Sequence, residues 1–140
     1  RDRYNTPPSQ DITPTGLNGL ASGSSVTTNS INNTSNLALD YFVLLTYVYG
    51  TAPTAGNDIT IEIQTSTDGT NFSDVQNATE KIILTADTNT HRDGFLLSAK
   101  LGSGMGLPPY FRFVIKNNGG QALASTGNKL EIVPIYGQVV

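Results

Sequence analysis

The sequence predicts an all-β protein: a single jelly-roll-like antiparallel β-sandwich of about eight strands, preceded by an extended N-terminal arm. Three observations predict this fold class. Thr, Asn and Ser supply 18, 13 and 11 of the 140 residues, and these residue types suit strand surfaces and turns. Short apolar runs recur at intervals of roughly 10 to 15 residues, which is the spacing of a sandwich rather than of βαβ units. No window sustains the apolar period of about 3.6 residues that a helix requires.

The first 25 residues differ from the rest of the chain and define the predicted arm. They carry Pro7, Pro8 and Pro14 but few large apolar groups, so they cannot form a core of their own. We therefore predict an arm of residues 1–25 and a sandwich domain of residues 26–140. The segment is either a disordered terminus or an arm that becomes ordered against a neighbouring subunit. In the second case we expect Ile12, Leu17 and Leu20 to anchor it, and removal of residues 1–24 to leave the fold intact.

Eight segments of the predicted domain have strand character. They are residues 26–31, 39–49, 59–65, 72–75, 81–85, 92–99, 110–117 and 129–136. Residues 59–63 alternate Ile with polar residues, as a half-buried strand does. Asp68 and Gly69 predict a hairpin turn. Pro134 has no backbone N–H to donate, so the last strand should be an edge or carry a bulge there. An immunoglobulin-like sandwich is the competing fold, but the Cys and Trp markers of that fold are missing.

The segment 39–49 predicts a contact surface, because both of its faces are apolar. Phe42, Leu44 and Val48 share one face. The other face carries Tyr41, Val43, Leu45, Tyr47 and Tyr49. In a sandwich only one face of each strand is normally buried, so a second apolar face must be covered by something else. That cover is either another subunit or a loop or arm of the same chain. Since tyrosine is favoured at interfaces, we predict that these five residues contribute to a subunit interface.

Composition and motifs argue against catalysis and metal binding. The chain has no cysteine, which excludes disulfides, thiolate metal sites and a cysteine nucleophile. His91 is the single histidine and has no evident catalytic partner at a recognisable spacing. Residues 87–94 lack the glycine at the sixth position and the distal Glu of a calcium-binding loop. We therefore expect no enzymatic activity, no catalytic or metal-binding residue and no cofactor.

Net charge and hydropathy limit the classes of partner that the chain is expected to bind. Eight basic and eleven acidic residues give a net charge of −3, and nothing concentrates the positive charge that phosphate binding requires. No apolar run approaches the ~20 residues of a membrane span. We therefore expect neither a nucleic-acid nor a membrane partner.

The segment Ser66-Thr-Asp-Gly-Thr-Asn-Phe72 resembles the Ser-x-Asp-Gly-x-x-aromatic hairpin of many β-sandwich modules, including carbohydrate-binding domains and phage virion proteins. This hairpin combines with a cysteine-free composition rich in Thr, Asn, Gly and Ser, a proline-dotted N-terminal segment, and the ending Leu130-Glu-Ile-Val-Pro-Ile-Tyr136-Gly. Together these features resemble small structural proteins of tailed bacteriophages, particularly capsid decoration (cement) proteins. The resemblance implies a compact β domain that forms a homotrimer and clamps neighbouring capsomers. The resemblance does not identify any functional residue in this sequence.

From this resemblance we predict a non-enzymatic virion structural protein, most simply a capsid decoration protein. It would bind the major capsid protein on the outer surface of the virion and stabilise contacts between capsomers, and three linked arms would make that attachment multivalent. The alternative is a carbohydrate-binding or receptor-binding module of a phage fibre or a secreted protein. In that case Tyr4, Tyr49 and Tyr110 are the candidate stacking platforms, although the chain has no Trp.

Overall fold

Nine strands and two short helices make up the regular structure of residues 9–74, 78–102 and 106–136, the parts of the chain that this computed structural model describes. The strands are β1 (Gln10–Asp11), β2 (Ser25–Thr27), β3 (Ile31–Asn32), β4 (Asp40–Tyr47), β5 (Asp58–Ser66), β6 (Thr79–Ile83), β7 (His91–Leu96), β8 (Tyr110–Asn117) and β9 (Lys129–Ile135). The helices are α1 (Asn33–Asn36) and α2 (Leu97–Leu101). Neither helix in this part of the chain has the length and apolar character needed to cross a membrane.

The strands form two antiparallel sheets that pack as a sandwich. One sheet has the order β1-β9-β4-β7, and the other has the order β2-β8-β5-β6 with β3 also paired to β8. The first and last strands are therefore neighbours in one sheet, and most connections cross from one sheet to the other. This winding is that of a jelly roll, so the predicted fold class is confirmed.

Alternating side chains of the central strands fill the core. In β5 and β8, the buried residues are Ile59, Ile61, Ile63, Phe111, Phe113 and Ile115, each at most 3% exposed. Their polar neighbours face outwards, which is the period-two pattern of a sheet with one dry face. The sheets meet through aromatic contacts such as that of Tyr41 with Phe111, whose ring centroids lie 5.1 Å apart, edge to face.

The N-terminal segment packs on the sandwich from residue 9 onwards. Ile12 donates its backbone N–H to the carbonyl of Leu130 at 2.9 Å, and Gly19 donates to the carbonyl of Ala124 at 2.8 Å. Leu17 and Leu20 are 0% and 6% exposed. For residues 9–25, this corrects the prediction of an arm separate from the domain, because two buried leucines and these backbone bonds tie the segment to its own sheets. Residues 1–8 of the predicted arm lie outside the described residues.

The strand boundaries differ from the sequence prediction in three places. The weak first strand is divided into β2 and β3. The segment 92–99 leaves the sheet after Leu96, where Asp40 accepts the backbone N–H of Ser98 at 3.0 Å and α2 begins. Phe72, the first residue of the predicted strand 72–75, lies outside any strand and packs under the Arg112 guanidinium at 4.0 Å.

The strand pairing of the described residues agrees with the prediction for Pro134. Among these residues, β1 pairs only with positions 131 and 132 of β9. Pro134 lies beyond these two positions, and on the other side of β9 it is paired with Tyr41 of β4. Within the described residues, the last strand is therefore an edge at the position that cannot donate a hydrogen bond.

Candidate interaction surface

The residues predicted to form an interface lie in the core of the chain itself. Tyr41, Val43, Leu45, Tyr47 and Tyr49 are 0%, 0%, 1%, 6% and 2% exposed. Leu17 and Leu20 share that core, and Ile12 packs at its margin, partly buried. None of these eight side chains is exposed in the structure, which corrects their assignment as a contact surface. The reason is that β4 lies in the middle of its sheet and turns its tyrosine face towards β8, so the cover is intramolecular.

The opposite face of the same strand carries the exposed apolar groups. Phe42 is 39% exposed and lies between Leu96 of β7, itself 42% exposed, and Val133 of β9. Leu39 donates its backbone N–H to the carbonyl of Ile135 at 2.8 Å, which brings their side chains to the same end of the sheet. We refer to the exposed hydrophobic residues of this end as the apolar patch: Leu37, Leu39, Phe42, Leu96, Ile135 and Tyr136.

The apolar patch contains six of the seven large hydrophobic residues that are exposed in the described ranges. The seventh, Ile83, lies on β6 of the other sheet and is 58% exposed. Single exposed hydrophobic residues are ordinary on protein surfaces, whereas a cluster at one end of a sheet indicates a contact site.

A glycine makes room for the ring of Phe42. A Cβ atom added at Gly94 would lie 2.5 Å from Cζ of Phe42, closer than any real contact. Since Gly94 is opposite Leu44 on the same sheet face, the ring of Phe42 lies across the neighbouring strand rather than standing away from it. The ring therefore covers the backbone of Gly94 on the outer face of the sheet.

Leu37 projects from a turn with an unfavourable backbone conformation. It ends α1 with φ 53° and ψ 34°, in the left-handed region where glycine or asparagine is normally found. It is the one non-glycine residue with positive φ among the described residues, and its side chain is 73% exposed. A leucine here gains little within its own chain and carries backbone strain, so its position points to a contact outside the chain.

A shallow groove runs beside Leu37 and Leu39. Its volume is about 360 Å³, and its opposite wall is formed by Leu107, Pro108 and Pro109. Exposed leucines thus lie directly next to an apolar depression. Such a combination can receive aliphatic side chains from a partner.

The patch carries no formal charge of its own. Asp40 is the nearest carboxylate along the chain, and it is engaged internally. Its Oδ1 accepts the backbone N–H groups of Tyr41 at 2.8 Å and of Ser98 at 3.0 Å. Its Oδ2 accepts the Ser98 hydroxyl. The carboxylate of Asp40 is therefore occupied by groups of its own chain.

A separate cluster of ionisable groups joins the edges of the two sheets. Asp93 of β7 and Glu80 of β6 face each other, and Lys100 of α2 lies 2.6 Å from Glu80. Burial and the neighbouring Glu80 raise the pKa of Asp93 to about 7. Burial would raise the pKa of Glu80 as well, but the hydrogen bonds from Asp93 and Lys100 hold it below its ordinary value.

Protonated Asp93 can donate to the Glu80 carboxylate, a bond that two carboxylates cannot make. Oδ2 of Asp93 is buried and finds no hydrogen-bond partner among the residues that the structure describes. The proton on this pair therefore satisfies a buried oxygen. The three groups neutralise one another across the gap between the sheets, which favours a structural role.

The other sequence candidates take up structural positions. Tyr49 is buried, and its hydroxyl donates to Asn117 at 2.6 Å. Tyr110 is half-buried, with its ring packed over Gly69. Tyr4 lies outside the described residues. His91, which had no evident partner in the sequence, pairs with Asp87 at 2.7 Å and stacks on Tyr47. Within residues 9–74, 78–102 and 106–136, no three His, Asp or Glu side chains are grouped closely enough to hold a metal ion.

The apolar patch was not found by sequence reasoning, although part of its signal was visible. Phe42 and Leu44 were identified as one apolar face of their strand, but the sequence did not show which face meets the core. The sequence matches no protein-family model, and it matches none of the curated proteins with which it was compared. The function therefore has to be inferred from the fold and from the surface.

Proposed function

We propose that this chain is a non-enzymatic structural protein of a virion, a capsid decoration protein that binds the major capsid protein on the outer capsid surface. In this role a homotrimer stabilises the contacts between neighbouring capsomers. Support comes from the jelly-roll sandwich, from the sequence resemblance to phage structural proteins, and from the character of the surface.

The apolar patch is the observation that carries this proposal. Six exposed large hydrophobic residues gather at one end of one sheet, and an apolar patch of this size on a soluble protein is often a functional contact site. Within an assembly, such a surface is covered by a neighbouring protein. A decoration protein has two kinds of neighbour available for this, its own copies and the capsid.

The low charge of the chain fits the same role. Only 14% of residues are charged, against about 25% in typical soluble domains. Contacts made by apolar groups and neutral hydrogen bonds keep their strength as salt changes, whereas exposed ion pairs are screened and contribute little. A particle that meets changing salt concentrations benefits from contacts of the first kind.

The carbohydrate-binding alternative has less support from the arrangement of aromatic groups. Its two candidate platforms among the described residues, Tyr49 and Tyr110, are buried and packed over a glycine, respectively. Tyr49 therefore offers no open ring face on which a sugar could stack, and Tyr110 is only half-exposed.

A sedimentation experiment tests the proposed function. The purified full-length chain is mixed with particles assembled from the major capsid protein encoded in the same genome, and the bound copies are counted after pelleting. We expect saturation at a fixed number of copies per capsomer and a higher temperature of capsid disassembly, with capsids of an unrelated phage as the control. A chain that leaves its own capsids unbound at micromolar concentration contradicts the proposal, and specific binding on a glycan array would favour the alternative.

A further inference from the structure

We infer that the apolar patch is the surface through which copies of this chain associate with one another. The inference rests on the homo-oligomer of the proposed function, and it names where those copies meet. It places the contact on the outer face of the β1-β9-β4-β7 sheet, opposite to the buried tyrosine face on which the sequence had placed it.

The size of the patch suits a self-contact. Its six side chains are between 38% and 73% exposed. At roughly 200 Å² for a fully exposed large side chain, they present on the order of 600 Å² of apolar surface. That is the upper end of the largest patch on ordinary monomers, about 300–600 Å². It is also most of the ~800 Å² that each partner contributes to a standard interface. The patch of one copy therefore has enough apolar area for its side of a stable contact.

The charges beside the patch are compatible with a second copy as the partner. A charged group close to a symmetry axis lies near its own counterparts and is repelled by them. Asp40 is the carboxylate nearest to the patch along the chain, and its oxygens are bound by Ser98 and Tyr41 of the same chain. Two copies can therefore bring their patches together without an unpaired Asp40 carboxylate in the contact.

The shape of the surface supports the same occupant. Leu37 and Leu39 form a ridge, and the groove of about 360 Å³ lies immediately beside them. A ridge next to a groove is complementary between identical copies, because in a closed ring each copy can place its leucines in the groove of the next. The strained backbone of Leu37 is then balanced by a contact that exists only in the oligomer.

Analytical ultracentrifugation of the purified full-length chain, without capsids, tests this inference. We expect the unmodified chain to sediment at a multiple of 14.9 kDa. The test variant combines Leu37→Asn with Leu39→Ser, because asparagine accepts the left-handed conformation and Leu39 is already 65% exposed. We expect its association to weaken at least about 100-fold without loss of folding. The matched control is Ile83→Ser, which removes a 58% exposed residue from the other sheet and should leave association unchanged.

Each outcome supports or overturns the inference. A wild-type oligomer that dissociates in the double variant and persists in the control supports it. A monomeric wild-type chain overturns it, as does an oligomer that both variants affect equally or that the double variant leaves intact. Binding of a monomeric chain to capsids or glycans, lost in the double variant, would assign the patch to that other ligand instead. An oligomer that fails to bind capsids would keep this inference and contradict only the proposed function.

Discussion

The hydroxyl of Tyr41 donates to Oδ1 of Asn33 at 2.8 Å and accepts the side-chain amide of Asn36 at 3.0 Å. Asn33 in turn accepts the backbone N–H of Ala38 at 3.0 Å. A fully buried core tyrosine therefore fixes the turn from which Leu37 projects into solvent. The residue that the sequence suggested as an interface contact acts from the inside, by holding the turn that forms the surface.

Tyr41→Phe should loosen that turn without opening the core. We expect a loss of about 1–2 kcal/mol in the free energy of unfolding, because Asn33 and Asn36 lose a buried partner while the ring remains. Urea denaturation measures the loss, and hydrogen exchange at the Ala38 amide should become faster. Tyr47→Phe is the matched control, since Tyr47 is also buried but its ring stacks on His91, away from the turn. Equal losses in the two variants would show that the hydroxyl of Tyr41 does not hold the turn.

The alternation of residues along β5 allowed that strand to be predicted with its buried face, and β8 was predicted by its range. The same reasoning failed for β4, since Phe42 and Leu44 are as apolar as Tyr41 and Val43 and periodicity alone cannot orient such a strand. The choice is made by strand order, which places β4 between β7 and β9 and turns the tyrosines towards β8. Strand order depends on long-range pairing that local sequence does not encode.

The N-terminal segment was misassigned for a related reason. Leu17 and Leu20 are too few to build a core, but they are enough to complete one that other strands supply. The proline and glycine content of this segment indicated irregular backbone correctly, and it said nothing about burial.

Leu17→Ala should therefore destabilise the sandwich. We expect a loss of about 3 kcal/mol in the free energy of unfolding, because the side chain is fully buried and its removal leaves a cavity. Ile83→Ala, on the exposed side of β6, should cost less than about 0.5 kcal/mol in the same chemical denaturation. Removal of residues 1–24 should be more damaging still, the reverse of what an independent arm would show. A truncated chain with an unchanged unfolding midpoint would restore the arm interpretation.

Asn117 joins the end of β8 to three other segments and should be the most sensitive polar residue of the core. Its Oδ1 accepts from Tyr49 at 2.6 Å and from the backbone of Gly119 at 2.9 Å. Its Nδ2 donates to the carbonyls of Leu20 at 2.9 Å and Gln121 at 2.8 Å. Asn117→Ala should cost about 3 kcal/mol, because it leaves several buried groups without partners.

A double-mutant cycle with Tyr49→Phe checks the arrangement around Asn117. If the two side chains act as one network, the double variant should lose clearly less than the sum of the single losses. Additive losses in thermal or urea unfolding would mean that the 2.6 Å bond contributes nothing to stability.

The Asp93–Glu80 pair should make stability depend on pH. The pKa of Asp93 is about 7 in the folded chain against an ordinary value of 3.8, so the folded state holds a proton that the unfolded state has lost between these values. Stability from this group is therefore fully present below about pH 4 and falls as pH rises through about 7. The groups facing Asp93 are Glu80 on β6, Lys100 on α2 and Tyr47 on β4.

Asp93→Asn tests that dependence, since an amide can donate to the Glu80 carboxylate at every pH. Relative to wild type, the variant should gain about 1 kcal/mol at pH 8, a modest figure because solvent partly screens the pair. The gain should vanish near pH 4. Thermal unfolding of both proteins from pH 4 to pH 8 measures the difference and cancels the contributions of the other carboxylates. A constant difference across this range would contradict a shared proton.

Gly94→Ala should displace the ring of Phe42, because the new Cβ would lie 2.5 Å from Cζ of that ring. We expect a loss of about 1–2 kcal/mol in the wild-type background, where the ring must leave its position across β7. In a Phe42→Ala background the clash is gone, and alanine should be neutral or slightly stabilising because it restricts the unfolded chain more than glycine does. Urea denaturation of the four proteins gives the coupling energy, which should be at least about 1 kcal/mol. The same cost in both backgrounds would show that Phe42 does not lie over Gly94.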